Sequence, residues 1–323
     1  MISGVEELDS VVRCIELGAT DYLPKPFNAV LLKARVAATL ERKRLRDRER
    51  LRTESMEREL EIGRQIQATF FPEELPQPAG WEIHARFQPA RQVAGDFYDA
   101  FPIRRAGIGL VVADVCDKGV GAALFMALFR TLIRAAAEES GPDRLRRETG
   151  QGVDASSRLL HAIGMTNDYI ARTHSRANMF ATLFFGILDP STGALVYVNG
   201  GHEPPILQSA SGTQTRLTPT GPAVGLLPGA AFETRQTRLG EGDLLLAFTD
   251  GVSDARDANG RFFTEERLLE LLARDVRDRL LRVLLGSVVD DHVELPELLD
   301  RAAHDLLAVA LVTDVPGDRD AEC

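Results

Sequence analysis

Aspartates stand at the ends of several short apolar segments, and this pattern constrains the fold more than any other feature of the sequence. Four such acids are far apart along the chain: Asp96 in the segment 95–99, Asp114 after the apolar run 108–113, Asp250 after 244–249, and Asp305 before 306–311. Runs of about six apolar residues are typical of buried β-strands, whereas aspartate is a weak strand former. A single such acid is most simply a turn or cap residue. Four of them predict that strand ends converge and gather carboxylates at one place.

A cluster of carboxylates repels itself unless a cation neutralises it. Mg²⁺ and Mn²⁺ prefer oxygen ligands and retain several waters. Two such ions can bind a phosphate group and activate a water for attack on it. If the strand ends converge, the pattern therefore favours a site for divalent cations, which are able to act on a phosphate group.

Composition disfavours several other classes of protein. The chain of 323 residues has a formal net charge of −10, and phosphate contacts to nucleic acid need clustered Lys and Arg. Its apolar runs are much shorter than the ~20 residues of a membrane span, and no signal peptide is evident at the N-terminus. The three cysteines have neither zinc-ligand spacing nor a disulfide framework, which is typical of a reducing compartment. We expect a cytoplasmic protein with no nucleic-acid or membrane partner.

Elsewhere the C-terminal part of the chain mixes strand and helix signals. The predicted strands are 81–87, 108–113, 181–188, 195–199 and 244–249, and the predicted helices are 119–137 and 264–272. The segment 189–193 has the composition of a hairpin turn. Hairpins with helices inserted between them indicate an α+β fold rather than alternating βαβ units.

The segment 38–70 is rich in arginine, has no proline and only one glycine, and so favours a long helical linker. Its apolar residues recur irregularly, which gives a weak coiled-coil signal. They are Leu40, Leu51, Met56, Leu60 and Ile66. The arginines form a solvated helix face or, as the alternative, a DNA-binding basic region, although no clean zipper follows it. If the apolar residues pair with a second copy, the protein is a homodimer.

Seven sequence segments give the chain a specific resemblance to a known family. They are EIGRQIQ at 61–67, FP at 71–72, RQVAGDFYD at 91–99, ADVCDKGV at 113–120, MFATL at 179–183, NGGHEPP at 199–205 and FTDGV at 248–252. In this order they resemble the SpoIIE-type branch of the metal-dependent protein serine/threonine phosphatases. The resemblance implies a two-sheet β-sandwich flanked by helices over residues 71–315, followed by a tail at 316–323.

The resemblance also implies a catalytic and metal-binding set with two Mn²⁺ or Mg²⁺ ions. Asp114 would bridge the two metals, and the Val115 carbonyl would bind one of them. Asp250 and Asp305 would bind the other metal, and Asp96 would act directly or through water.

Two positions depart from the family pattern. Asp117 stands where the family usually has a small residue, so it adds charge beside the metals or faces solvent. The last motif reads His304-Asp305-Leu306-Leu307 instead of two acids, a hydrophobe and a hydroxyl residue. The nearby pair Asp290-Asp291 is interpreted as a solvated turn.

Residues 1–37 resemble the C-terminal part of a two-component receiver domain. The segment DYLPKPF at 21–27 is similar to the last-strand motif of receivers, with Lys25 facing a phosphoryl group and a cis Lys25–Pro26 bond. Ser3 falls where receivers place a phosphate-sensing hydroxyl. The part of a receiver that holds the phospho-accepting aspartate is missing, so we expect either a start upstream of Met1 or a remnant.

The sequence supports one principal function and two alternatives. The resemblance implies a phosphatase that acts on a phosphorylated STAS-type anti-anti-sigma protein, as the output of a response regulator with an upstream histidine kinase. The first alternative is a non-catalytic partner-binding module with a degenerate metal site, and the second is DNA binding. Two further residues remain open: His202 is an acid or a turn-stabilising residue, and Lys118 meets phosphate or balances charge.

Overall fold

The computed structural model describes residues 2–3, 12–13, 15–19, 23–26, 28–89, 91–139, 154–256, 260–273 and 306–313. Contacts divide the chain into two compact units, Met1–Ile62 and Gly63–Cys323. The division falls inside one long helix.

In the first unit, two short strands precede this helix. Strand β1 (Ile2–Ser3) pairs in parallel with β2 (Leu23–Pro24), and the Lys25–Pro26 peptide bond is cis, as the sequence predicts. Helix α1 then runs over Ala29–Ala68. Its first turn is capped by Asn28, whose Oδ1 accepts a hydrogen bond from the Val30 N–H at 2.8 Å. The predicted long helix is therefore confirmed.

The second unit contains ten strands and four further α-helices among the described residues. The strands are β3 (Trp81–Gln88), β4 (Phe97–Ile103), β5 (Gly107–Val115), β6 (Ala181–Asp189), β7 (Ala194–Gly200), β8 (Ile206–Gln208), β9 (Gln214–Arg216), β10 (Arg235–Arg238), β11 (Leu244–Phe248) and β12 (Leu306–Thr313). The helices are α2 (Val120–Glu138), α3 (Ala155–Thr173), α4 (Asp250–Ser253) and α5 (Glu265–Ala273).

These strands form two five-stranded antiparallel sheets. The first has the order β10-β7-β6-β5-β4, and the second has the order β3-β12-β11-β8-β9. Alternation along β5 shows how the first sheet is buried on both faces: Leu110 and Val112 belong to the core shared with the second sheet, whereas Val111, Ala113 and Val115 belong to the core beneath the helices. The chain is thus an α+β sandwich with flanking helices, as expected.

Helices α2 and α3 cover the outer face of the first sheet. Helix α2 buries Met126, Phe129 and Ile133, which recur at the spacing of one helical face. By length and composition α2 is also the one helix among the described residues that could cross a membrane; its buried face is part of the core. Helix α3 begins at Asp154, whose carboxylate accepts the Ser157 N–H at 2.7 Å.

Candidate metal centre

Two predicted site residues meet at one end of the first sheet. Phe97 at the start of β4 pairs with Ala113 near the end of β5, so Asp96 precedes and Asp114 follows the same pair on neighbouring strands. Asp96 is buried, with 4% of its surface exposed, and Asp114 is half-buried. Because Val112 faces the second sheet, Asp114, two residues later, lies on that face as well. The strand register therefore brings these carboxylates together between the sheets.

The backbone carbonyl of Val115 lies beside the Asp96 segment. A Cβ built on Gly95 would come within 2.7 Å of the Val115 carbonyl oxygen and within 3.1 Å of the Ala122 Cβ. Only glycine permits this approach without displacement of the backbone. The segment before Asp96 therefore lies directly against the carbonyl that the family resemblance implies as a ligand.

Gln67 holds the same segment from the end of α1. Its Nε2 donates to the Ala94 carbonyl at 2.7 Å, and its Oε1 accepts the Ala94 N–H at 3.1 Å. Gln67 is the last residue of the first family segment, and it is buried. Sequence reasoning did not assign this residue a role. Its paired amide bonds fix the backbone next to Gly95 and Asp96.

Asp117 lies in the turn that follows β5. This residue has a φ of +75° and is exposed, and its Oδ1 accepts the Lys118 N–H at 2.8 Å. Aspartate tolerates the left-handed region better than most non-glycine residues. Of the two expectations for Asp117, the structure therefore agrees with the one in which it faces solvent.

The second sheet contributes Asp250. Strand β11 ends at Phe248, Thr249 is fully buried, and Asp250 begins α4 with its side chain exposed. The potential here is negative on balance: burial raises the pKa of Glu203 and the charges of Glu265, Asp250 and Asp254 raise it further, although Arg216, which pairs with Glu265 at 2.8 Å, opposes them. A negative potential of this kind favours a bound cation.

His202 is buried behind this end of the sheet. Its Nδ1 lies 2.9 Å from Thr182 Oγ1, and its backbone N–H donates to Asn199 Oδ1 at 2.8 Å. Burial lowers the pKa of the imidazole to about 4, although the backbone of Phe248 opposes the shift. The ring is therefore neutral near pH 7, which disfavours a role as a proton donor. Asn199 stabilises the turn, whereas the His202 ring contacts a neighbouring strand.

Three further acidic residues of the sequence analysis lie outside the described residues. They are the expected ligand Asp305 and the expected turn residues Asp290 and Asp291. Within the described ranges, no three His, Cys, Asp or Glu side chains are grouped closely enough to hold a metal ion. What the structure does bring together is a set of oxygen donors: the carboxylates of Asp96 and Asp114 beside the Val115 carbonyl. Oxygen donors at a negative site fit Mg²⁺ or Mn²⁺ rather than a softer metal.

The fold of the second unit is that of PP2C phosphatase domains. The SiaA-PP2C domain of Pseudomonas aeruginosa superimposes with a TM-score of 0.58 at 20% identity, over 81% of this chain and 98% of that domain. A structure of the PP2C phosphatase domain and a fragment of the regulatory domain of SpoIIE from Bacillus subtilis superimposes with a TM-score of 0.50 at 15% identity, over 72% of this chain and 63% of that structure. At these identities the likeness establishes the fold alone.

Sequence comparison identifies the family. The family model described as stage II sporulation protein E (SpoIIE) matches residues 104–309. The chain belongs to the SpoIIE family, and that part of the predicted resemblance is confirmed.

Two curated relatives match the chain over only part of their own length. Protein IcfG of Synechocystis sp. is 43% identical over 246 residues, which are 71% of this chain and 39% of that protein. Phosphoserine phosphatase RsbU of Bacillus subtilis is 27% identical over 240 residues, which are 74% of this chain and 66% of RsbU. The matched region therefore spans less than two thirds of each of these relatives.

Proposed function

We propose that the chain is a metal-dependent protein serine/threonine phosphatase. The observation that carries this proposal is the pairing of Asp96 and Asp114 at adjacent strand ends, beside the Val115 carbonyl. Membership of the SpoIIE family supports it. So do two similar proteins of Bacillus subtilis, RsbU and RsbP, both of which are named phosphoserine phosphatases.

In this proposal each residue of the site has a defined task. Asp114 and the Val115 carbonyl hold cations from the first sheet, Asp96 binds directly or through water, and Asp250 and Asp305 bind from the second sheet. When bound, two Mn²⁺ or Mg²⁺ ions supply positive charge that polarises the phosphoryl group and favours ionisation of the attacking water. The two sheets of the sandwich hold the carboxylates in fixed positions. The site therefore needs little rearrangement as charge develops in the transition state.

For the substrate, we propose phosphoserine or phosphothreonine on a STAS-type anti-anti-sigma protein in the cytoplasm. The test is release of inorganic phosphate from such a phosphorylated protein by the full chain with Mn²⁺, with Mg²⁺, and with EDTA. We expect metal-dependent release that EDTA abolishes. Binding without release in either metal would instead support the alternative, a non-catalytic partner-binding module with a degenerate metal site.

The carboxylates assigned to the second sheet should govern metal affinity. We expect Asp250→Ala and Asp305→Ala each to raise the Mn²⁺ concentration needed for half-maximal activity by about tenfold or more, because each removes a charged oxygen ligand. Metal titrations of phosphate release measure this. If Asp305→Ala behaves as wild type while Asp290→Ala or Asp291→Ala is inactive, the assignment of the last motif is misplaced.

We further propose that the chain is the output of a response regulator with an upstream histidine kinase, and that it dimerises through α1 as a coiled coil. The parallel pairing of β1 with β2 before α1 supports the receiver interpretation. Four of the five apolar residues predicted to pair along α1 are half exposed or more, which supports pairing with a second copy. These are Leu40, Leu51, Met56 and Ile66.

Removal of residues 1–59 should convert the dimer to a monomer and change the phosphatase rate. Burial of such apolar side chains contributes about 1.5–3 kcal/mol each when complete, so their loss removes the driving force for association. Light scattering gives the mass, and phosphate release gives the rate. A shortened protein that remains dimeric with the parent's turnover would show that α1 is a passive tether.

A further inference from the structure

Gln67 makes paired hydrogen bonds to the backbone of Ala94, two residues before Asp96. Its Nε2 donates to the Ala94 carbonyl at 2.7 Å, and its Oε1 accepts the Ala94 N–H at 3.1 Å. Ala94 is buried, with 1% of its surface exposed, and the segment 91–96 lies outside the strands of the described chain. A buried peptide group outside a sheet needs partners from elsewhere. One side chain therefore satisfies both the donor and the acceptor of this residue.

The last turns of α1 contact the same segment at a second point. Gly63 and Gln67 are four residues apart and so share one face of the helix. A Cβ built on Gly63 would lie 3.6 Å from Val93 Cγ1, and Val93 is itself buried. The end of α1 therefore meets two successive residues of the segment, one by an apolar contact and the next by hydrogen bonds.

On its other side the segment is held against the carbonyl of a proposed ligand. A Cβ built on Gly95 would come within 2.7 Å of the Val115 carbonyl oxygen and within 3.1 Å of the Ala122 Cβ. Asp96 is the next residue, and β4 begins immediately after it. The position of the Asp96 carboxylate therefore depends on how the residues before it are held between the end of α1 and the end of β5.

We propose that Gln67 is a positioning residue that acts through the Ala94 backbone to place Asp96 for the binding of a divalent cation. This inference rests on the proposed function, since it concerns the same metal centre. Gln67 touches neither cation nor substrate in this role. Loss of its amide leaves a buried N–H and a buried carbonyl without these partners, which is costly. The segment must then shift, and Asp96 shifts with it while the sheets remain folded.

The test compares Mn²⁺ binding by calorimetry, without substrate, in the full chain and in the variants Gln67→Met and Gln67→Asn. Met fills irregular space with a flexible chain but offers no amide. Asn keeps a polar amide but is one methylene too short to make both bonds. Residues that orient metal ligands typically change affinity by 10–100-fold. We expect both variants to weaken Mn²⁺ binding by at least about tenfold.

The chain offers a matched control in Gln77, which makes the same pair of bonds to another backbone residue. Its Nε2 donates to the Ile83 carbonyl at 2.7 Å, and its Oε1 accepts the Ile83 N–H at 3.0 Å. Ile83 lies near the start of β3, which pairs with the end of β12, whereas Asp305 precedes the start of β12. Gln77→Met should lower the unfolding temperature in EDTA and leave Mn²⁺ affinity unchanged.

A further pair of variants shows whether the effect of Gln67 passes through Asp96. Asp96→Asn removes one carboxylate and keeps Asp114 and Asp250, so this chain should still bind Mn²⁺, more weakly than the wild type. Substitutions that act through one group are not additive. Adding Gln67→Met to Asp96→Asn should therefore change the affinity by less than about twofold. A loss as large as in the wild-type background would overturn the role assigned to Gln67.

The outcomes separate this inference from the function on which it rests. If the wild-type chain binds no Mn²⁺, the proposed metal centre is wrong, and the role of Gln67 is wrong with it. If the wild type binds Mn²⁺ and the Gln67 variants bind equally well, only the positioning role is overturned. Equal loss of affinity in Gln77→Met would also overturn it, because general loosening of the sandwich would then explain the effect.

Discussion

Replacement of Asp114 by Asn is expected to abolish Mn²⁺-dependent phosphate release while leaving the fold intact. Asn keeps the size of the side chain but removes the charge that would hold both cations. The neighbouring backbone pairs Ala113–Leu183 and Val115–Ala181 do not depend on that charge. Loss of a group that stabilises the charge of the transition state costs about 10²–10³ in rate, and loss of the carboxylate that would bind both cations should cost at least this much. Phosphate release and thermal unfolding of the same preparation measure the two effects.

Asp189→Asn is the matched control, since Asp189 lies on the same sheet at the opposite end of β6. Its carboxylate accepts hydrogen bonds from the Ser191 hydroxyl at 2.7 Å, the Thr192 hydroxyl at 2.8 Å and the Ser191 N–H at 3.0 Å, and these bonds lower its pKa. The residue therefore orders a hairpin, and its loss should cost about 1 kcal/mol or less at an exposed site and no activity. Near-native turnover of Asp114→Asn at saturating Mn²⁺ would show that the two-metal assignment is wrong.

The central strands were predictable because they are buried on both faces. The predicted strand 108–113 corresponds to β5 (Gly107–Val115), and the predicted strand 181–188 corresponds to β6 (Ala181–Asp189). In such strands an unbroken apolar run is itself the signal. The hairpin at 189–193 was also predictable, because the local bonds of Asp189 are encoded within five residues.

Strand β4 was missed because its stability comes from distant residues. It contains Asp99 and Pro102, which both disfavour a strand by composition. In the fold, Pro102 lies on the edge strand of its sheet, where a missing N–H is tolerated. Asp99 is buried and paired with Arg130 at 3.1 Å and Arg134 at 3.5 Å, both on α2. Burial nevertheless raises the pKa of Asp99.

Helix α3 and the short strands were missed for other reasons. In α3, polar residues and Gly164 interrupt the apolar stripe, although Asp154 supplied a cap signal that could have been used. Strands β9 and β10 are three or four residues long and mostly polar. They exist only because a neighbouring strand supplies their hydrogen bonds, and no local pattern encodes that.

The candidate site also contains some residues whose placement was predictable from the sequence and others whose placement was not. Asp96 and Asp114 were predictable as acids at strand ends, and the register of β4 and β5 brings them together. The contacts of Gly95 with the Val115 carbonyl and of Gln67 with Ala94 join segments about 20 and 27 residues apart. Those contacts arise from the tertiary arrangement of the chain. The sequence therefore indicated that Gly95 and Gln67 belong to family motifs, but it did not indicate which contacts they make.

Gly95→Ala is expected to damage the proposed metal centre through the backbone alone. The added Cβ would lie 2.7 Å from the Val115 carbonyl oxygen, which is closer than real Cβ contacts allow, and Ala122 blocks retreat toward α2 at 3.1 Å. The carbonyl must therefore move away from the position at which it would bind a cation. Overpacking of this kind costs about 1–3 kcal/mol in stability, and displacement of a ligand should weaken Mn²⁺ binding at least about tenfold. Thermal unfolding in EDTA and calorimetric Mn²⁺ titration measure the two effects separately.

The same substitution at Gly164 separates this mechanism from a general effect of adding a methyl group. Gly164 lies inside α3, and a Cβ built there meets no atom within 4 Å. Since alanine is a better helix former than glycine by about 0.5–1 kcal/mol, Gly164→Ala should raise the unfolding temperature and leave Mn²⁺ affinity unchanged. If Gly95→Ala loses stability but binds Mn²⁺ as the wild type does, the Val115 carbonyl is not a ligand. Loss of Mn²⁺ affinity in Gly95→Ala alone would show that the contact between the Gly95–Asp96 segment and the Val115 carbonyl shapes the metal centre.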